Sequence, residues 1–326
     1  MNNQNSDFKL NIHQDHIASV LDILERNVFT YSVELIPPRN GTDFHDVFSI
    51  VDKLQQANFD FISVTHGAGG SLRGGTLPIA FHAQNAYHLT AIAHLTCRGS
   101  TLEDLENMLI DHHYFGIHNI LALRGDPPDG INSEFKKPEG GFEYAYELID
   151  LISRMNKGQY STRAGFDNNE EYRQGMKTRF CIGVACYPED SPEHRIEYLK
   201  MKIDAGAHFG ITQIILNEDI FFSYHEQVNE TFQDKFPILP GIRIPSSFKQ
   251  LQRMRDKFGI SVNDTLWNNM EKHQDSKEDM LAVGIDWSIN FIEKLKSKNI
   301  PGVHFFIMGD PSAAIKVKST TMINQH

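Results

Sequence analysis

Cysteine is scarce: Cys97, Cys181 and Cys186 are the only three in 326 residues, and no CxxC occurs. So few, odd in number and set in apolar runs, they exclude a disulfide framework and read as buried thiols in a reducing compartment. Long hydrophobic runs are missing too; none nears the roughly 18 to 20 residues that cross a bilayer. Met1–Leu10 is polar and lacks the basic-then-apolar pattern of a signal peptide, so a cytoplasmic protein without a membrane partner is expected. Positive charge is in the minority, with Lys+Arg 31 against Asp+Glu 42 and a net charge of −11. That balance argues against nucleic acid as a partner but leaves room for a local basic pocket. No GxGxxG follows the first strand, and GxSxG and GxxxxGK[ST] are absent, which removes the hydrolase elbow and the P-loop. Among 16 histidines there is no HxH, so no catalytic metal is expected.

What is present is alternation. Strand-like runs fall at Phe29–Leu35, Phe59–Thr65, Leu89–Thr96, His118–Arg124, Arg179–Cys186, Ile211–Leu216, Phe236–Gly241 and Val303–Met308. Several are apolar on both faces, as in ILAL (120–123), which belongs to parallel strands covered on both sides. Helical patterns separate them. Ser100 with Glu103, and Ser247 with Gln250, are spaced as capping boxes. A long helix is expected over Ser276–Asn299, with a stripe of Leu281, Ile285, Ile289, Ile292 and Leu295. Eight such units predict an α/β fold, a closed (β/α)8 TIM barrel, with a doubly wound open sheet as the alternative. Residues 1–25 read as an extra N-terminal helix laid against a single barrel domain. Residues 157–178 (KGQYSTRAGFDNNEEYRQGMKT) read as a polar surface insertion between units four and five.

Barrel sites lie where strands end. Those ends carry Glu34, Thr65-His66, His94 with Thr96, Arg124-Gly125-Asp126, Tyr187 and Gln213. Each has a plainer reading. Glu34 could pair with Arg39 or Arg124, His94 could be a satisfied core histidine, and Asp126 could start a turn before Pro127. Their common rim is what favours a site.

At these positions the blocks VELIPPR, SVTHGA, AHLTC, ALRGD, VACYPE, KIDAGA, ITQ and ILPGIRIP occur in order from about Phe29 to Phe306. They resemble the methylenetetrahydrofolate reductase family, in its bacterial-type form of a stand-alone catalytic barrel. The resemblance implies non-covalent FAD and reduction of 5,10-methylenetetrahydrofolate to 5-methyltetrahydrofolate. NADH or NADPH would be the donor, with hydride passing ping-pong through flavin N5 in one-carbon and methionine metabolism, and a homo-oligomer is expected. It implies Glu34 as general acid and Asp126 as the carboxylate between flavin and pterin. Thr65, His94, Arg124, Gly125, Asp126, Tyr144, Ala145, Tyr187 and Lys202 match flavin-contacting positions. Glu34, Asp126, Gln213, Gln250 and Met254 match substrate positions.

Departures from the family pattern are visible. The segment after Tyr187-Pro188-Glu189 is short, Ser191 stands where many members have histidine, and Arg195 aligns nearest a family aspartate. Met254 replaces a phenylalanine, and Asp310 stands in place of a folate-binding arginine. Two alternatives follow: a pterin reductase on the same barrel without flavin, or a catalytically silent barrel subunit.

Overall fold

The computed structural model describes residues 17–26, 28–43, 45–67, 73–127, 133–162, 171–233 and 235–323. Its strands are β1 (Thr30–Leu35), β2 (Phe61–Val64), β3 (Thr90–Thr96), β4 (Asn119–Leu123), β5 (Gln159–Tyr160), β6 (Arg173–Gln174), β7 (Cys181–Cys186), β8 (Phe209–Ile214), β9 (Ile238–Ile242) and β10 (Gly302–Phe306). Eight of them close into one barrel in the order β1-β10-β9-β8-β7-β4-β3-β2. Every barrel pairing is parallel, so both sheet faces need apolar residues or buried polar ones with partners. The open-sheet alternative is thereby excluded.

Alternate residues point outward and inward. Tyr31, Val33, Leu35, Ile62, Val64, Ala91, Ala93, Leu95, Ile120, Ile182, Val184 and Ile238 pack under the helices. Phe61, Ile92, Leu121, Cys181, Phe209, Ile211 and Leu239 fill the lumen. Each barrel strand falls within two residues, at either end, of the apolar run that predicts it; β8 begins and ends two residues earlier than Ile211–Leu216. Its register against β9 shifts between Ile211 and Ile214. Past that irregularity Ile215 N–H still donates to Gly241 O at 2.8 Å, while Leu216 packs with Phe248 and Leu251 among the helices. All three cysteines are buried. Among the described residues no helix is long and apolar enough to cross a membrane.

The N-terminal helix is shorter than expected. It spans only Val20–Leu24, capped by a reciprocal Ser19–Asp22 pair, while residues 1–16 lie outside the described ones. Its buried Val20, Ile23 and Leu24 join the lumen cluster, and Val20 N–H donates to Asn119 Oδ1 at 2.8 Å. Asn119 opens β4, so this turn of helix stoppers the barrel at the end where strands begin.

Other local expectations shift by a residue. The capping box before Leu102–Tyr114 is made by Thr101 and Asp104 rather than Ser100 and Glu103, because Ser100 is buried one position too early. Ser247 does precede Phe248–Phe258, but its hydroxyl makes no capping bond. Leu281 faces outward on the helix Lys277–Ser297; Met280 and Gly284 hold the inner stripe with Ile285 and Ile292. The 157–178 segment is only partly a surface excursion. Strands β5 and β6 pair antiparallel, and Tyr160 is buried in the main core with its hydroxyl donating to Met176 O. Thr178 bonds Asn156 Oδ1 at 2.7 Å. Its two ends are therefore structural; residues 163–170 lie outside the described ones.

Gly284 marks a close crossing. A Cβ there would sit 1.8 Å from the carbonyl oxygen of Pro245, which belongs to the segment leaving β9. Backbone cannot yield as a side chain can. Gly284→Ala is expected to cost at least the ~1–3 kcal/mol typical of overpacking, read as a lower urea midpoint with unchanged slope.

Candidate active site

The C-terminal ends of the barrel strands bring most of the expected residues together. Glu34 lies on the lumen face of β1, in register with Ser63 and Phe306. Its side chain is 16 % exposed, and its closest charged or titratable neighbour is His94 on β3, with Nε2 3.8 Å from Oε2. It pairs with neither Arg39 nor Arg124. Burial alone, with no compensating donor, pushes the Glu34 carboxyl up to about 8. His94 is not a satisfied core histidine: its Nε2 is buried without a hydrogen-bond partner. Burial, then the nearby His304 and His66, hold it neutral with a pKa of about 3.

Below them His304 lies between two serines, Nδ1 2.8 Å from Ser32 Oγ and Nε2 3.2 Å from Ser63 Oγ. Ser32 gives its hydroxyl proton to Val303 O. Nδ1 of His304 therefore carries the ring proton, and Nε2 accepts from Ser63. Burial keeps this ring neutral as well, at about 3. Sequence reasoning missed His304, since a lone histidine inside an apolar strand carries no motif.

The β4 end forms the adjoining rim. Gly125 has φ +89°, and a Cβ there would meet Arg98 Cβ at 2.9 Å and Thr96 Cβ at 3.1 Å. Only glycine allows the chain to turn so tightly against β3. Arg124 stacks its guanidinium 5.1 Å over Phe135. Asp126 is exposed, and its charge is felt at the Tyr187 hydroxyl, where burial is the larger cause of a pKa raised to about 12. Lys202 projects from the helix Pro192–Asp204 to donate to Ala185 O at 2.7 Å, with its Nζ 5.3 Å over the Tyr187 ring. Burial lowers its pKa, opposed by Cys186 and Asp190 and reinforced by Arg124. Two cations thus converge near Tyr187. Tyr144 and Ala145 open the helix Ala145–Asn156 beside them, with Tyr144 stacked on Tyr146 at 5.3 Å.

Gln213 stands exposed at the irregular end of β8, its Oε1 accepting from Ile214 N at 2.9 Å. With its amide turned so that the oxygen meets the guanidinium donors, Gln250 accepts from Arg243 Nε at 2.8 Å. Met254 is 3 % exposed, packed with Leu216, Phe248 and Leu266 between helices, and presents almost no surface to the mouth.

The departures have structural uses. Ser191 caps Pro192–Asp204 by accepting from His194 N. Arg195 ties that helix to Gln227 and to Pro188 O, both at 2.8 Å. Asp310 accepts from Ser312 N and Oγ at the start of the last helix. Among the described residues no three His, Cys, Asp or Glu side chains are grouped to hold a metal.

Comparisons with known proteins agree with this geometry. The family model described as methylenetetrahydrofolate reductase matches residues 19–321. The chain is 30% identical to methylenetetrahydrofolate reductase (NADH) 1 of Arabidopsis thaliana over 92% of its own length and 50% of the relative's. It is 28% identical to the 5,10-methylenetetrahydrofolate reductase of Escherichia coli, covering 85% of both chains. It therefore spans about half the length of the plant relative. A solved structure of a Clostridium thermocellum protein that binds two copies of 5-methyl-5,6,7,8-tetrahydrofolic acid shares the fold, with TM-score 0.54 and 15% identity over 93% of this chain and 98% of that one. With its barrel, its rim and a match that runs from the lumen-sealing turn to the last helix, this chain belongs to the methylenetetrahydrofolate reductase family.

Proposed function

We propose that this protein reduces 5,10-methylenetetrahydrofolate to 5-methyltetrahydrofolate, with NADH or NADPH as electron donor and FAD held non-covalently at the barrel mouth. Glu34 carries the reading. The five-membered ring of the folate must open before its methylene carbon can accept hydride, and opening needs a proton on the departing nitrogen. A carboxyl whose pKa stands at about 8, unpaired by any cation, keeps that proton at neutral pH. Few structural roles ask for such a group at a barrel mouth.

The residues at the rim fit a flavin dinucleotide. Arg124 and Lys202 supply converging positive charge for a pyrophosphate in a protein of net charge −11. The buried Thr65 Oγ1 and His94 Nε2 have no partner within the described protein and suit a polar ring edge. Gly125, Ala145, Tyr144 and Tyr187 offer close backbone approach and aromatic surface. When bound, FAD supplies two-electron hydride chemistry. The protein's own part is to orient, to shield the reacting face from water and to hold the proton on Glu34. Asp126 is the fixed negative charge beside a substrate that turns cationic when its ring opens. Gln213 can donate and accept at one place and so suits two different ring systems in turn.

The purified protein is expected to be yellow, with a flavin absorption band that bleaches anaerobically on adding NADH or NADPH and returns on adding the folate. A colourless protein that still reduces the folate would support the flavin-free alternative. A colourless and inactive one would support a silent subunit.

A further inference from the structure

The serine–histidine–serine stack under Glu34 has a direction. Val303 O, a carbonyl, can only accept, and it takes the Ser32 hydroxyl proton at 3.1 Å. The Ser32 oxygen then accepts from Nδ1 of His304 at 2.8 Å, which leaves Nε2 to accept from the Ser63 hydroxyl at 3.2 Å. Each donor is spent on the next group towards Val303, and all four residues are fully buried.

Ser63 is also the register partner of Glu34. Glu34 lies two residues past Ser32 and Ser63 two past the lumen-filling Phe61, on paired strands about 4.8 Å apart. Yet among the described residues none donates a hydrogen bond to Glu34. A serine beside a carboxylate ordinarily turns its hydroxyl to it, because a bond to a charged acceptor outweighs one to a neutral acceptor. Here that turn would strand Nε2 of His304 in a fully buried layer. From the strands against β1, the titratable side chains are His304 on β10 and His66 just past β2; His94 reaches in from β3 with Nε2 at 3.8 Å. Burial pushes all three rings towards the neutral form, so none lends Glu34 a counter-charge.

We propose that Ser32, His304 and Ser63 are positioning residues: by spending their protons towards Val303 O, they withhold from Glu34 the neighbouring donor that would stabilise its ionised form. Their part in catalysis rests on the reading of Glu34 as the general acid of the folate step.

The test follows the Glu34 titration through stability, which needs neither flavin nor turnover. Urea midpoints of each variant are compared, from about pH 4 to about pH 10, with the same variant carrying Glu34→Gln. The difference levels off at the folded pKa of Glu34, which for wild type is expected at about 8. Ser32→Ala takes the acceptor from Nδ1, so the ring can carry its proton on Nε2, donate it to Ser63 and release the Ser63 hydroxyl to Glu34. Its curve should level off about one unit lower or more. His304→Phe, set between Phe61 and Phe306, releases the same hydroxyl outright and should shift the same way. Ser63→Ala has no hydroxyl to release and should stay at the wild-type value or above. Adding Ser63→Ala to Ser32→Ala should restore that value, whereas a floor that had merely loosened and admitted water would stay low. An unmoved curve in Ser32→Ala or His304→Phe, or a double variant as low as Ser32→Ala, overturns the proposal. In Ser32→Ala the fall of the folate step with rising pH should move down with the stability curve. A stability curve that shifts while the folate step does not upholds the withheld donor and overturns the general-acid reading.

Discussion

Glu34→Gln is expected to slow reduction of the folate about 100-fold or more, while hydride transfer from NADH or NADPH stays within a few-fold of wild type. Only the folate step needs a proton donor, and a positioned general acid typically contributes about 10² to 10⁴. Glutamine keeps the shape and loses the proton. Rapid mixing of each half-reaction separates the two effects. In wild type the folate step should also weaken as pH rises through about 8, where Glu34 ionises.

Stability should move the other way. Between its ordinary value of 4.5 and its folded value of about 8, Glu34 holds a proton in the native state that the unfolded chain has released. Wild-type stability therefore falls as pH rises across that window, and the loss is complete above it. Glutamine cannot ionise, so the variant should be about as stable as wild type at pH 4 and more stable at pH 9, as read by urea midpoints. A variant that loses both half-reactions equally and is less stable at pH 9 would make Glu34 a structural residue.

Asp126→Asn should slow the folate step roughly ten-fold or more, because a negative charge aimed at a developing cation is lost. The same change should leave reduction by NADH or NADPH steady or faster. A carboxylate beside an electron-accepting ring opposes added negative charge, and Asn removes that opposition. Asp126 is suited to both effects: it is exposed at the β4 rim, and its charge reaches Tyr187, one residue past β7, the strand paired with its own. A generic loss of structure cannot move the two half-reactions in opposite directions. Stopped-flow traces and the flavin potential of the variant decide it. If the variant sheds flavin and both steps decline together, Asp126 serves only the turn into Pro127.

Much of this was readable in the chain because parallel strands buried on both faces leave continuous apolar runs, and a strand end is where polarity abruptly returns. That is why Glu34, His94, Arg124 and Asp126 stand out in sequence and fall at one end of the barrel. Other features leave weaker marks. A capping box tolerates sliding by one residue, so Thr101 and Asp104 could displace Ser100 and Glu103 without changing the pattern. Met254 is apolar wherever it points, and only packing shows that it faces Leu216 and Leu266 rather than the mouth. Tyr160 and Thr178 sit in a run polar enough to read as surface throughout, and their burial comes from partners distant in sequence or from the insertion's own return strand.

The stack beneath Glu34 has a consequence for where protons travel. His304 is wired between Ser32 and Ser63 with its tautomer fixed, and both it and His94 stay neutral until about pH 3. Deeper still, the buried side chains of Phe61, Ile92, Leu121, Val20, Ile23 and Leu24 carry no dissociable hydrogen, and burial pushes the thiol among them, Cys181, up to about 11. The barrel floor is thus an insulator, not a wire. If Glu34 is the proposed general acid, each proton it donates has to be replenished from bulk water through the same opening the ligands would use. While a product still covers that opening the acid stays discharged, and its recharging keeps time with departure rather than with chemistry.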